Sequence, residues 1–233
     1  MVNTKYRSTE IELMDDFSVQ GDLLKESLDQ LANINKWLGG NLVTLKGLKK
    51  ILKSHPKKEP ITILDLGCGN GDMLREVSKF GKKNGYEFRL IGIDANQHTI
   101  HYAEQLSKDY MEITYLQQDV FAEDFHKIKY DIVLATLFLH HFSERDIIKL
   151  LSKIVKNASI GIVVNDLNRN ALAYYLFSGL CLFIKNPMTK EDGLISILKA
   201  FKKEDLKRMA TKLKVKSSIA WKWAFRYQWI IQN

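Results

Sequence analysis

Residues 61–72, ITILDLGCGNGD, restrict the fold of this chain more than any other stretch. They begin as an apolar run of the kind that forms a strand buried on both faces. Asp65 sits near the end of that run, and glycines follow at alternate positions, Gly67, Gly69 and Gly71. A helical pattern, MLREVSKF, begins after Asp72. Strand, glycine turn and helix in that order open a nucleotide-binding α/β unit.

The same rhythm continues downstream. FRLIGID, ITYLQQD, DIVLAT and IGIVVND read as strands, and 73–83, 97–108 and 144–155 read as helices. Strict alternation predicts a doubly wound, mostly parallel sheet. Upstream, Leu23, Leu24, Leu28, Leu31, Ile34 and Leu38 recur at helical spacing, so 22–38 reads as an amphipathic helix ended by Gly39 and Gly40. A second helix over 42–52 is stopped by Pro56. Residues 1–56 therefore form a helical cap on a main domain of 57–233. Its core is too small to stand alone. After Asp166 the alternation breaks. An apolar helix over 170–184, a loop around Pro187 and a helix over 202–212 suggest a lid insertion at about 167–200. From Val215 to Trp229, large residues fall at every second position, which predicts two adjacent strands with the odd positions on one buried face.

The glycine turn admits three cofactor readings. A P-loop needs a Lys-Ser/Thr pair where Asp72-Met73 stands, which excludes it. A dinucleotide turn wants G-x-G-x-x-G, but the third position falls on Asp72, and an acid at a helix N-terminus would oppose a pyrophosphate. S-adenosylmethionine carries no phosphate and needs only close backbone approach, which glycines permit. Asp65, Asp94 and Asp119 all stand at carboxyl ends of strands, where ligands of such sheets bind. Carboxylates accept hydrogen bonds from hydroxyl and amino groups.

With these residues in view, the chain resembles the class I S-adenosylmethionine-dependent methyltransferases. ILDLGCGNGD resembles their first motif and brings in Cys68. IGIDAN ends with the acid that in the family binds the ribose hydroxyls, here Asp94, followed by Ala95. QQDVF supplies the acid near the adenine, here Asp119, followed by Val120. YDIVLATLFLHHF resembles the fourth-strand motif, whose Ala135 and Thr136 would line the methionine half. The resemblance covers residues 60–166 closely. It implies S-adenosyl-L-methionine as cofactor and a seven-stranded, Rossmann-like methyltransferase sheet with an antiparallel last strand. A narrower resemblance, in LANINKWLGG and VVNDLNRNALAYY, is to a bacterial small-molecule methyltransferase subgroup. Some of its members accompany polyketide or phenolic-lipid pathways. It would fold residues 35–40, Trp37 included, over the cofactor. A helix cap with Trp37 in the core is the competing reading.

His140 and His141 follow the fourth strand, and a histidine suits proton removal near neutral pH. They are the candidate catalytic residues, against a packing and capping role. No metal is expected, because no carboxylate or cysteine is spaced with the pair. His98 and His101 read as surface residues. Asn165, Asp166, Asn168, Arg169 and Asn170 form a polar mouth beside the aromatic segment that follows, which suits a small lipophilic or phenolic acceptor and O-methylation. RNA methylation by the same fold is the alternative. The charge of +8 and pI of about 9.3 would allow it. The lysines are spread along the chain, however, and no Asn/Asp-Pro-Pro-aromatic sequence is present, so nucleic acid is not the expected partner.

The two cysteines, Cys68 and Cys181, suggest no disulfide framework, and the polar N-terminus reads as no signal peptide. A cytoplasmic location is expected. The apolar stretch 171–184 is shorter than the ~20 residues of a membrane span. A peripheral membrane contact of the lid, with Lys185 at the headgroups, and a monomeric or homodimeric state stay open.

Overall fold

The computed structural model describes residues 2–55 and 59–232. Pro56 and the boundary between 56 and 57 lie outside them. Seven strands, β1 (Ile61–Leu66), β2 (Phe88–Asp94), β3 (Ile113–Gln117), β4 (Ile132–Thr136), β5 (Gly161–Leu167), β6 (Ser217–Lys222) and β7 (Arg226–Gln232), form one sheet. Their order is β3-β2-β1-β4-β5-β7-β6. The first five are mutually parallel, and β7 runs antiparallel between β5 and β6. The chain therefore reverses between β1 and β4, and the carboxyl ends of β1, β4 and β5 share one edge with the start of β7, where Leu167 faces Arg226. Such a switch point is where open α/β sheets bind ligands.

Helices α1 (Asp22–Trp37) and α2 (Gly40–Ile51) precede the sheet. Between strands come α3 (Asp72–Asn84), α4 (Gln97–Leu106) and α5 (Glu144–Asn157). Helices α6 (Ala171–Leu180), α7 (Pro187–Lys199) and α8 (Lys203–Leu213) lie between β5 and β6. One core, around Leu64, Val133, Leu151 and Trp229, fills one face of the sheet. The other joins Leu48 and Ile51 of α2 to Ile63, Leu74 and Val163, so the N-terminal helices share the core of the sheet.

Two sequence expectations need correction. Helix α7 replaces the expected loop at Pro187. Proline stands at the first helical position, where it lacks no needed N–H, and the Asn186 side chain accepts from Thr189 N to cap the turn. The odd-numbered aromatics do not form one buried face throughout. Tyr227 and Trp229 are buried, but Trp221 and Trp223 are exposed, because they lie at the hairpin on the outer side of β6. Strand β7 is instead buried on both faces. Gln228 Nε2 donates to the Val43 carbonyl of α2 at 2.6 Å on the second face.

Candidate active site

The turn after β1 depends on its glycines. Gly67, Gly69 and Gly71 all have left-handed backbone, φ 62°, 52° and 77°. A Cβ on Gly67 would lie 2.3 Å from the Phe138 ring, and one on Gly71 2.0 Å from the Tyr115 hydroxyl. At Gly69 the nearest atom would be Leu28 Cδ2 of α1, 3.6 Å away. The backbone at Gly69 is thus open toward the cap.

Three acids surround this turn. Asp65 is buried, and burial followed by the charges of Asp72 and Asp94 pushes its carboxyl well above the usual range. Burial also raises Asp94, against the pull of the Asn96 and Gly69 N–H groups it accepts at 3.0 and 3.3 Å. Burial raises Asp72, although Asn41 Nδ2 donates to it at 2.9 Å. Arg75 pulls Asp72 down and His141 pulls Asp94 down without overcoming burial, and no cation acts on Asp65 among the causes of its shift. This donor set fits a ligand with a positive end and hydroxyls. Asp94 keeps lone pairs free, since each carboxylate oxygen accepts two hydrogen bonds.

A cavity of about 580 Å³ opens on the turn. Of the residues singled out from sequence, it brings together Asp65, Gly67, Cys68, Gly69, Thr136, Trp37, His140 and His141. It does not bring Gly71, Asp94, Ala95, Asp119, Val120 or Ala135 into its wall. Gly71 packs against Tyr115, and Asp94 turns its carboxylate onto the backbone of the glycine turn. Asp119 is exposed and accepts from Phe121 N at 2.9 Å, as a turn cap does. Val120 and Ala135 belong to the core, and the Ala95 carbonyl receives Gln117 Nε2. A larger hollow, about 760 Å³, lies beside β2 and β3 near Arg89 and Leu116 and touches none of these residues.

The N-terminal cap walls the cavity as well as the sheet. Asn70 Nδ2 donates to Asp29 of α1 at 2.9 Å, which pins the cap to the glycine turn. Asn35 lines the cavity and donates to Asn41 Oδ1 of α2. Trp37 is 78% exposed, which excludes the core reading for it and places it at the mouth.

After β4 the chain turns through Leu137, whose φ of 54° is costly for a branched residue, by roughly 1–2 kcal/mol. That turn delivers the histidines. His140 is buried, and its Nδ1 lies 2.7 Å from Asp166 Oδ1 at the end of β5. Asp166 also accepts from His140 N at 3.2 Å. Burial pushes Asp166 up, but the charge and hydrogen bond of His140 outweigh it and hold the carboxyl below its usual range. An acceptor-only carboxylate at Nδ1 leaves Nε2 of a neutral ring as the proton acceptor. His141 Nδ1 meets Asp15 Oδ1 at 2.7 Å. Burial lowers His141, and the Asp15 hydrogen bond with the Glu12 and Asp15 charges raises it above its ordinary value.

Sequence reasoning missed Glu12, Asp15, Asp192 and Lys199. Glu12 is buried within 3.8 Å of His140 Nε2 and 3.6 Å of His141 Nδ1. Lys199 Nζ lies 3.1 Å from both Glu12 and Asp15. Asp192 accepts Leu13 N and Met14 N at 2.6 and 3.1 Å, and burial raises it to about 6. The spacing argument against a carboxylate partner for the histidines is therefore overturned. Ligand atoms of Glu12, His140 and His141 come within 4.8 Å of one another. The Lys199 ammonium already compensates the Glu12 charge in that cluster. Locally Glu12 and Asp15 show only a capping pair, and their charged partners lie far off in the chain, His141 126 and Lys199 184 positions from Asp15.

The polar set after β5 also divides differently from expectation. Asp166 serves His140, and Asn168 lines the cavity. Arg169 binds the Thr4 and Ala200 carbonyls and Asp205, Asn165 ties β5 to Gly40 and Thr44 of α2, and Asn170 caps α6. These three hold the structure together. His98 and His101 are exposed.

Comparison with known proteins places this architecture. Residues 63–159 match the family described as "Methyltransferase domain". The plantazolicin methyltransferase BpumL in complex with SAH is 18% identical, with a TM-score of 0.69 over 91% of each chain. Magnesium protoporphyrin IX methyltransferase ChlM from Synechocystis PCC 6803, with bound SAH, is 12% identical, with a TM-score of 0.55 over 86% of this chain and 87% of that one. A Saccharomyces cerevisiae relative, protein-lysine N-methyltransferase EFM4, is 34% identical over 80 residues, which span 33% of this chain and 33% of the yeast protein. Among the described residues no helix is long and apolar enough to cross a membrane.

Proposed function

We propose that this chain, a class I S-adenosylmethionine-dependent methyltransferase, methylates a hydroxyl on a small lipophilic or phenolic acceptor, with His140 as base. The observation that carries the reading is the buried His140–Asp166 pair, whose histidine lines an apolar cavity that also opens on the glycine turn. When bound, the cofactor supplies an electrophilic methyl group. Asp65 and Asp94 would hold its positive end and its hydroxyls, and the open backbone at Gly69 would let it approach.

The remaining work belongs to the chain's own side chains. Asp166 accepts the Nδ1 proton of His140 and orients the ring, so that Nε2 takes the proton of an acceptor hydroxyl. The apolar walls exclude water and hold the acceptor's body. Phe177 and Leu180 of α6 form one wall, and Leu28 and Leu31 of α1 another. Leu176, Phe183 and Trp223 line the cavity yet are exposed, as Trp37 is, which gives the mouth an apolar rim suited to a lipophilic molecule. His141, whose charged form Asp15 and Glu12 favour against burial, would position and polarise more readily than accept a proton.

The test is a calorimetric titration of S-adenosylhomocysteine followed by turnover on alkylphenols. His140→Gln is expected to keep the affinity and lose about 100- to 10,000-fold in kcat. Equal turnover in the variant sinks the base assignment. The yeast relative supports a second reading, methylation of a protein lysine. Turnover of lysine-bearing protein with none on phenols would favour it. RNA methylation would instead show an affinity that falls steeply with salt.

A further inference from the structure

The geometry points to a carboxylate subsite in the cavity wall, formed by Arg226 and the N-terminus of α2. It rests on the reading of this cavity as the cofactor and acceptor site. Arg226 begins β7, is 3% exposed and lines the cavity. Its Nε and Nη1 are buried and have no hydrogen-bond partner. Burial lowers it to about 10, although the Asp166 charge acts to raise it, so the guanidinium stays charged at neutral pH. A buried cation without a partner is a standing cost in a folded chain and marks a place for an anion.

The guanidinium is aimed at a helix start. A Cβ built on Gly40, the first residue of α2, would come 3.0 Å from Arg226 Cζ and 1.9 Å from Asn35 Oδ1. Only glycine leaves that corner open. Gly39, the N-cap, has left-handed backbone and offers no side-chain cap. The first N–H groups of a helix have no intrahelical partner and favour negative charge. The neighbouring carboxylate, Asp72, is already tied to Asn41 Nδ2. A planar carboxylate matches both the guanidinium and a helix N-terminus.

Two molecules could bring that group. The amino-acid end of the cofactor carries one, and the charge pattern favours it: the raised acids Asp65 and Asp72 and the Arg226 guanidinium line the same cavity, so both charges of a zwitterion find a counterpart there. The other source is a carboxylate on the acceptor.

The test compares wild type with Arg226→Gln and Arg226→Lys in two arms. In the first, calorimetry measures S-adenosylhomocysteine against its decarboxylated analogue. Loss of at least about 10-fold for the former alone in Arg226→Gln, with part restored by lysine, assigns the cofactor carboxylate. In the second, octanoate is measured against octanol with and without S-adenosylhomocysteine. A preference for octanoate that disappears in Arg226→Gln assigns an acceptor carboxylate. Absence of carboxylate preference in both arms overturns the subsite. Thermal unfolding without ligand is expected to show Tm unchanged or raised in Arg226→Gln. If that variant does not fold, the lysine variant carries both arms, with the same preferences weakened. Failure of wild type to bind S-adenosylhomocysteine would strike the cofactor reading instead, and the octanoate arm would still decide the anion site.

Discussion

The two ends of the cavity are both acidic, but their carboxylates are in opposite states. Around the glycine turn, Asp65, Asp72 and Asp94 are pushed above their ordinary values by burial, and Asp65 also by the charges of Asp72 and Asp94. Around the histidines, Asp15 and Asp166 are held below theirs. The difference lies in partners, because all five are removed from water to a large degree. At the histidine end His140, His141 and Lys199 supply compensating charge or protons. At the glycine end no side-chain cation pairs with Asp65 among the described residues. The first cluster is complete in the folded chain, and the second becomes complete only with a cationic ligand. A site that joins a finished proton-handling pair to an unfinished cation site suits a reaction in which a positively charged donor is brought to a deprotonated acceptor.

The largest effects should separate the two ends. Asp166→Asn is expected to lower kcat by about 100-fold or more, since the amide no longer fixes the His140 tautomer, while S-adenosylhomocysteine affinity holds. Asp94→Ala is expected to weaken that affinity by about 100-fold, the loss of hydrogen bonds to a charged group, which calorimetry reads directly. If Asp166→Asn weakens cofactor binding as much as Asp94→Ala does, the two ends are one unit and the contrast fails.

A pH titration sharpens the glycine end. A carboxyl raised in the free protein binds a cation better once it is ionised. Affinity for S-adenosylhomocysteine should therefore rise with pH through the acid range, and calorimetry in buffers of different ionisation enthalpy should show proton release. The turn itself can be probed by stability. Gly67→Ala combines a left-handed backbone with a clash on Phe138 and should cost about 3 kcal/mol, against about 1 kcal/mol for Gly69→Ala, where space is open. Urea unfolding measures both.

The histidine end carries a smaller pH signature. His141 is raised above its ordinary 6.5, so the stability it contributes is full below that value and is lost as pH rises through its folded pKa. Asp15→Asn should flatten that decline by about 1 kcal/mol. The smallest effect is reserved for the surface. Glu144→Gln, which breaks contacts to the half-exposed Arg208 and Lys212, should change stability by less than about 1 kcal/mol.

Legibility in the sequence followed distance along the chain. The β1 turn, Asp65 and the strand alternation were readable because each rests on neighbours within a few positions, where periodicity and glycine spacing speak. The doubly wound, mostly parallel sheet followed from that alternation, whereas its seven strands and the reversed one came from the resemblance to the methyltransferases. Helix α7 was obscured because proline signals both a break and a first helical turn, and only the Asn186 cap decides between them. Glu12, Asp15 and Lys199 escaped because nothing local separates a buried acid or lysine from a solvated one. Arg226 stood in view among the terminal aromatics, but its burial depends on α2 covering the second face of β7. Trp37 was placed at the mouth only by its exposure.

The position of β7 has a consequence for the timing of assembly. Strand β7, the seventh in sequence order, is not an edge strand; it is inserted between β5 and β6. It also brings Arg226, while the acids that hold His141 come from residues 12 and 15. Residues more than 200 positions apart, Glu12 and Arg226, therefore meet at one cavity, and contacts of such long sequence separation form late in folding. Sheet and pocket would therefore be completed in one step, because the strand that joins β5 to β6 is the one that carries Arg226 into the cavity wall.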